Sequence, residues 1–339
     1  MNNIFVYLEI EEGVVADVSL ELLTKGKSLA DTLQCKLEAI AITNDTSKIA
    51  DTIFPYGVDI LHVAQDKRLA PYQTLPHTKI VTELFKQEQP QIALFGATSI
   101  GRDLAPRVAS ALLCGLTADC TSLEIGEYTD VKTKQEYKNL LYQIRPAFGG
   151  NIIATIVNPE TKPQMATVRE GVMKRQIFNQ NHKGEIKEIP FNNWLTDADF
   201  VVKIIERHIE KSKVNIKNSS IIISGGYGVG SKENFKLLFE LAEVLGAEVG
   251  GSRAAVDAGY IEHERQIGQT GVTVRPKLYI ACGISGAVQH TAGMAESSMV
   301  ISINTDPNAP INQIADYTII GDISEVIPKM ITYYKKNSK

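Results

Sequence analysis

The chain has 339 residues, 44% of them hydrophobic and 22% charged, with a formal net charge of −4. That length exceeds one average domain and fits two. The acidic balance argues against a nucleic-acid partner, which would need a basic stripe, and no apolar run approaches the roughly 18 residues of a membrane span, so no membrane insertion is expected. The N-terminal "MNNIFVYLEI" has no basic region ahead of its apolar residues and enters a strand-like segment at once, so no signal or transit peptide is read there. Cys35, Cys114, Cys120 and Cys282 form no C-x-x-C pair and no zinc-ligand spacing. A cytoplasmic protein with reduced thiols is expected.

In chain order, "IFVYLEI" from Ile4 reads as a strand and "SLELLTKGKSLADTL" from Ser19 to Leu33 carries apolar residues at helical spacing. "LEAIAI", "VDILHV" and "IALFGA" follow as strands with helical patterns between them. Such alternation predicts a parallel sheet covered by helices on both faces. "LLYQIRPAFGGNIIATIV", Leu140 to Val157, reads instead as two strands joined through Gly149-Gly150, so antiparallel strands are expected and the sheet of this domain is expected to be mixed. "WLTDADFVVKIIERHIEKSKVNIKN", Trp194 to Asn218, is helical in pattern in its middle and polar at its end, and the domain boundary is placed there. The alternation then restarts with "SIIISGG", the helix "KENFKLLFELAEVLG", "AEVGGSR", "KLYIACGISG", "MVISIN", "YTIIGD" and a last helix from about Ser324 to Lys336. The expected fold is α/β with two doubly wound domains, a mixed-sheet domain over 1–209 and a parallel-sheet domain over 210–339.

The polar signals concentrate at the predicted strand ends of the second domain. "SIIISGGYGVGSKENF" sets Gly225, Gly226, Gly228 and Gly230 between a strand and a helix, where glycine lets a backbone approach a pyrophosphate. The spacing departs from G-x-G-x-x-G, and a tight strand–helix turn capped by Ser231 explains it equally. "YIACGISGAVQHTAGM" repeats the grammar: a strand ending at Cys282, a turn with Gly283, Ser285 and Gly286, then a helix near Ala287 carrying Gln289 and His290 in its first turn. A lone histidine is commonly structural, but this one follows a strand's carboxyl end, where ligands of open α/β sheets bind. Asn304, Asp306 and Asp322 also end strands, either as turn caps or as groups for ribose hydroxyls. "VGGSRAAVDAGYIEHERQIGQTG", Val249 to Gly271, is polar and rich in glycine between two buried strands. Arg253 in it either binds an anion or pairs with Asp257, Glu262 or Glu264.

"GGSRAAVDAGYIEHERQIGQTG", "YIACGISGAVQHTAGM" and "INTDPNAPINQIADYTIIGD" together resemble the FAD domain of the electron transfer flavoprotein alpha-subunit family, and "GRDLAPRVASALLCGLTADCTSLEI" and "RPAFGGNIIATIVNPETKPQMATVREGVMK" resemble its N-terminal domain. The resemblance implies one FAD in the second domain. It assigns to that FAD Ser252, Arg253, Gln269, Thr270 and Gly271; Gly283, Ser285, Gly286, Gln289 and His290; and, for the adenosine part, Asn304 and Asp322. Thr270 is expected at flavin N5, and Arg253 with a hydrogen-bonding or protonated His290 near N1 and O2, where charge gathers on reduction. Where the family commonly reads GGRG this chain has Tyr227, which leaves Lys232 as a substitute cation. The resemblance further implies an electron carrier rather than a stand-alone enzyme, with a beta subunit and an acyl-CoA dehydrogenase as partners and the flavin domain as a mobile head on the segment near residue 210. Some family members bifurcate electrons from NADH to ferredoxin through a second FAD in the beta subunit; the deciding site lies mostly in that partner. The alternative is a nicotinamide-dependent oxidoreductase, against which stands the lack of a G-x-G-x-x-G with an acidic residue ~20 positions on.

Overall fold

The computed structural model describes residues 2–147, 152–206 and 216–337, and these fall into two compact units, the first reaching to 206 and the second starting at 216. The boundary expected at 209/210 and the turn at Gly149-Gly150 lie outside the described residues.

In the first unit the elements run β1 (Ile4–Tyr7), the small hairpin β2 (Ile10–Glu11) and β3 (Val14–Val15), α1 (Asp17–Leu33), β4 (Leu37–Thr43), α2 (Ile49–Ile53), β5 (Ile60–Gln65), α3 (Thr74–Glu88), β6 (Ile92–Gly96), α4 (Ser99–Leu112), β7 (Leu116–Cys120), β8 (Ser122–Thr129), β9 (Glu136–Ala147), β10 (Ile152–Ile156), β11 (Gln164–Val168) and β12 (Glu185–Glu188). Seven strands make one parallel sheet in the order β12-β5-β4-β1-β6-β11-β7. Alternation along β1 shows why the sheet is wound on both sides. Ile4 and Val6 join the core beneath α1, with Leu22, Leu23 and Leu33, while Phe5 and Tyr7 join the core beneath α3 and α4, with Ile80, Leu84 and Leu104. A strand buried on both faces must be apolar throughout, as IFVY is.

The antiparallel strands expected here are present, but they form a sheet of their own, β10-β9-β8, so the mixture is one of separate sheets within the unit, the β2-β3 hairpin being a third. Leu123 of β8 and Leu141 of β9 enter the α1-side core, whereas Ile152 and Ile153 of β10 are 53% and 72% exposed.

The expected helix after Trp194 is not formed within the described residues. A short 3-10 turn, Asp197–Asp199, is closed by a reciprocal Thr196–Asp199 cap, and residues 201–206 carry no helix. A short helix needs an apolar face buried against something, and Val201, Val202 and Ile205 are 69%, 60% and 94% exposed.

At the first sheet's switch point, between β1 and β6, Glu9 is buried, and both its carboxylate oxygens accept from the Thr98 hydroxyl at 2.8 Å. Thr98 caps α4 by accepting from the Gly101 N–H at 3.1 Å. A side chain at Gly96 would run into the Glu9 carboxylate, and one at Gly101 into the Gly96 carbonyl. Burial pushes the Glu9 carboxyl up to about 7; the Thr98 hydrogen bonds oppose this and the nearby Glu170 adds to it.

The second unit runs β13 (Ile221–Gly225), α5 (Lys232–Leu245), β14 (Glu248–Gly251), α6 (Arg253–Asp257), β15 (Leu278–Cys282), α7 (Val288–Thr291), β16 (Val300–Asn304), β17 (Tyr317–Ile320) and α8 (Ile323–Asn337). Its sheet is parallel throughout, in the order β14-β13-β15-β16-β17. Ser231 caps α5, its Oγ accepting from the Asn234 N–H at 3.1 Å. One face of the sheet is covered by α5 and α8 through Phe235, Leu238 and Ile327. The other is covered by loops and short turns through Ile267, Val274, Met294 and Ile311. The chain therefore spends its long loops on one side of this sheet and at its carboxyl edge. No described helix is long and apolar enough to cross a membrane.

Candidate functional site

In the order 2-1-3-4-5 the connection reverses between the first and third strands, here β13 and β15, and ligands of open sheets bind outside the carboxyl ends at that point. The cleft lies there. It measures about 710 Å³ and is lined by turns from every strand except β17, a size within the range of cofactor sites.

The turns after β13 and β15 are interlocked by backbone. The Gly226 N–H donates to the Cys282 carbonyl at 2.8 Å and the Gly228 N–H to the Gly283 carbonyl at 3.1 Å. A Cβ on Gly226 would drive into the Gly283 carbonyl, and Gly283 itself has φ +60°. These glycines are required first for two turns to touch; the bare backbone they present to the cleft is a result of that contact. Tyr227 lines the cleft, 64% exposed, with its ring stacked on Tyr260 at 5.9 Å. Lys232 is exposed and does not line the cleft.

After β14, Ser252 caps α6 and Arg253 opens it, both in the cleft wall. The Arg253 side chain is 71% exposed and its Nε lies 3.4 Å from Asp257 Oδ2. An exposed i,i+4 pair of this kind is weak, so a ligand anion competes with it at small cost. The 266–272 loop folds back over the cleft. The Gln269 N–H donates to the Gln289 carbonyl at 2.6 Å, and the Gln266 side-chain amide donates to Thr270 Oγ1 at 3.0 Å, leaving the Thr270 hydroxyl proton to be directed elsewhere. Asn304, at the end of β16, donates to the Ile284 carbonyl at 2.8 Å and accepts from the Asp306 N–H at 3.0 Å.

His290 is 6% exposed. Its Nδ1 lies 3.0 Å from the Ile267 carbonyl and its Nε2 2.9 Å from the Tyr279 hydroxyl. A carbonyl only accepts, so Nδ1 carries the proton, and in the neutral ring Nε2 accepts from Tyr279. Burial holds the imidazole down at about 4, against the smaller upward pull of the Ile267 carbonyl. Of the two expectations for His290, hydrogen-bonding or protonated, this burial favours the neutral, hydrogen-bonding ring, because desolvation outweighs its single favourable partner.

Of the residues expected at the site, Ser252, Arg253, Gln269, Thr270, Gly283, Ser285, Gln289, His290 and Asn304 line one cleft. Gly271, Gly286 and Asp322 do not. A side chain at Gly271 would meet the Gln266 carbonyl, and one at Gly286, with φ +92°, the backbone of Ile311. Asp322 accepts from Ser324 N–H and Oγ at 2.8 and 2.6 Å at the start of α8, and these bonds hold its carboxyl below the ordinary range. Sequence reasoning missed Gln266, Ile267, Ala309 and Pro310 as lining, and Tyr279 behind His290. The first two stand beside the Gln269-Thr270 motif and were within reach; a tyrosine inside a strand pattern gave no signal.

The family model for the electron transfer flavoprotein domain matches residues 4–193, and that for the electron transfer flavoprotein FAD-binding domain matches residues 215–295. The chain belongs to the electron transfer flavoprotein alpha-subunit family. It is 45% identical to the electron transfer flavoprotein subunit alpha of Thermoanaerobacterium thermosaccharolyticum, over 98% of both chains. It is 48% identical to protein FixB of Clostridium saccharobutylicum, over 98% of this chain and 96% of that one. It is also 38% identical to an acryloyl-CoA reductase electron transfer subunit beta of Anaerotignum propionicum, over 98% and 96%. The family's cofactor is FAD and its role electron transfer. The cleft fits such a group: bare glycine backbone at the switch point, where a Cβ on Gly226 would meet the Gly283 carbonyl, one exposed arginine, and mostly uncharged donors and acceptors along the remaining wall, with Asp257, beside Arg253, and Asp306 as its carboxylates.

Proposed function

We propose that this chain holds FAD in the β13/β15 cleft through Ser252, Arg253, Gln269, Thr270, Ser285, Gln289, His290 and Asn304, and carries electrons between an acyl-CoA dehydrogenase-type partner and an acceptor. The observation that carries the reading is the convergence of these residues, scattered over more than fifty positions of sequence, on one cleft at a switch point, all but Asn304 of them inside the segment that matches the FAD-binding model. When bound, FAD supplies a ring that accepts and releases one or two electrons. Arg253 brings the positive charge that favours added negative charge on that ring. Thr270 directs a hydroxyl proton, and His290 meets the cofactor as a neutral, hydrogen-bonding ring. No nucleophile or general base is needed. Asp322 and Gly271 are assigned to supporting the fold around the cleft.

An electron transfer flavoprotein beta subunit is the proposed partner of the first unit. The apolar outer positions Ile152 and Ile153 on β10 support this, as exposed isoleucines on an edge strand invite cover. A reductase of acyl-CoA type as second partner is supported by the name of the Anaerotignum relative. Ferredoxin belongs to the bifurcating mode only. The cytoplasm is the proposed compartment, in keeping with four free cysteines.

The test is the visible spectrum of the complex purified with its beta subunit, followed by mixing with NADH. Flavin bands that the chain alone does not bleach rapidly with NADH are expected. A colourless protein that binds a nicotinamide cofactor would overturn the reading in favour of a dehydrogenase.

A further inference from the structure

The first unit has a pocket of its own, about 290 Å³, framed by α1, the junction of β7 and β8, and the loop that follows β11. Lys25 and Ser28 line it from α1, Thr121 and Ser122 from the strand junction, and Lys174 and Gln176 from the loop. No carboxylate lines it.

The frame is held by bonds between residues 150 positions and more apart. The Gly171 N–H donates to the Glu21 carboxylate at 2.9 Å. Thr24 Oγ1 accepts from the Gln176 N–H at 3.0 Å and lies 3.2 Å from the Gln176 carbonyl. Arg175 donates to Asp17 Oδ1 and to the Tyr56 hydroxyl, both at 2.8 Å. Met173 sinks into the core beneath α1. Lys174 therefore stands at the pocket wall between two anchored neighbours.

The same contacts use up the nearby acids. Asp17 pairs with Arg175, Glu21 is bonded to Gly171, and Asp31 pairs with Lys27 at 2.7 Å. Among the described residues, Lys25 and Lys174 have no ion pair, and the side chains of Ser28, Thr121, Ser122 and Gln176 have no protein partner. A chain with a net charge of −4 thus leaves two cations and four neutral donor groups unspent around one pocket. An ammonium offers three donors and a hydroxyl one, while a tetrahedral oxyanion offers only acceptors. A dianion matches the two charges, and its several oxygens match the donors. Chloride would leave most of them idle.

We infer that this pocket is an oxyanion site that takes a phosphate group, free or carried on a small ester, with Lys25 and Lys174 neutralising its charge and Ser28, Thr121 and Ser122 bonding its oxygens. A bound phosphate would tie α1 to the loop after β11. The site lies wholly within the first unit and does not depend on the FAD reading.

The test is calorimetric titration of the full chain with its beta subunit. Saturating FAD keeps the second unit's cleft filled, and ionic strength is held constant. The probes are inorganic phosphate and glycerol phosphate. Saturable binding with a Kd of about 0.1–1 mM is expected. Tighter binding of the ester would mark a carried phosphate, and equal binding a free one. Lys25→Gln and Lys174→Gln should each weaken binding roughly three- to tenfold, and the pair together should abolish it. Lys27→Gln, at a lysine already paired and outside the lining, should change nothing. Circular dichroism verifies folding of each variant. An absence of saturable binding, an equal response to chloride, or binding that survives the double substitution would overturn the site. So would a double variant that releases the beta subunit when the wild type binds no phosphate, because the pocket would then receive an acidic side chain of the partner. If the complex carries no FAD, the FAD reading fails, while phosphate binding lost with the two lysines still locates this site.

Discussion

At the switch point of the first sheet, between β1 and β6, lies a buried carboxylate; at that of the second, between β13 and β15, lies a cleft of about 710 Å³. Both sheets are parallel, both are fed by tight turns, and both carry a tyrosine–histidine–carbonyl line beside the strand ends, Tyr7–His77–Leu69 in the first and Tyr279–His290–Ile267 in the second. The difference comes from the residues just past the strand. After β1 the chain turns through Glu9, which reaches the hydroxyl capping α4. After β13 it turns through Gly226 and Gly228, which bring no side chain to fill the space. A doubly wound sheet thus supplies a place for a ligand, and a few residues beyond the strand end decide whether it stays open.

The largest expected effect separates the units by pH. His77 and His290 both have folded-state values depressed from 6.5 to about 4, so each contributes stability that is present above 6.5 and lost as pH falls through 4. Glu9 is raised from 4.5 to about 7, so its contribution is present below 4.5 and lost as pH rises through 7. Between pH 7 and 4.5 the terms offset each other in the first unit, while the second loses on the order of 3 kcal/mol uncompensated. Calorimetry of the full chain should show one transition falling steeply across this window and one nearly level; parallel decline of both would break the comparison. Glu9→Gln keeps an acceptor for Thr98 without the charge, and should stabilise the first unit at pH 8 by roughly 2–3 kcal/mol and not at pH 4.5.

A smaller effect concerns charge in the open cleft. Arg253→Ala should lower the potential of bound FAD by about 60 mV for one electron, the equivalent of a tenfold preference. Its solvent exposure keeps the expectation at this level. Redox titration checks it, and an unmoved potential would remove Arg253 from the cofactor's surroundings. Smallest of all is Lys232→Ala, for which the same titration should read no shift, since the side chain stands outside the cleft. A shift matching that of Arg253 would restore Lys232 as the cation replacing the one absent at Tyr227.

Much of this was legible in the sequence, for reasons that differ by element. Strand and helix periods gave both sheets, and Ser231 declared itself as the cap of α5. The polar residues at the ends of β14, β15 and β16 gave most of the cleft, because strand ends of a parallel sheet share one edge. Asp322 and Gly286 lie past strand ends too, yet one caps α8 and the other packs on Ile311; position in sequence does not tell a capping role from a ligand role. The apolar spacing after Trp194 suggested a helix, but periodicity cannot show whether a surface exists to receive it. Glu9, within "YLEIEE", carries no signal of its role in the sequence, because the fold brings Thr98 to it from 89 positions away. Tyr279 hides for the same reason, since an aromatic residue in a buried strand is the ordinary case and only the position of His290 gives its hydroxyl a partner.

The central claim is that the cofactor lies where the β13 and β15 turns interlock. The direct measurement is the flavin retained by the wild-type chain and by Gly226→Ala, each purified with the beta subunit under the same conditions, with circular dichroism to verify folding. A methyl group at Gly226 must force the turn away from the Gly283 carbonyl, at a cost that should weaken FAD binding roughly 10- to 100-fold. The account predicts that the complex loses one FAD while its far-ultraviolet spectrum and its pairing with the beta subunit persist. Undiminished flavin in a folded Gly226→Ala complex would contradict it and place the cofactor elsewhere.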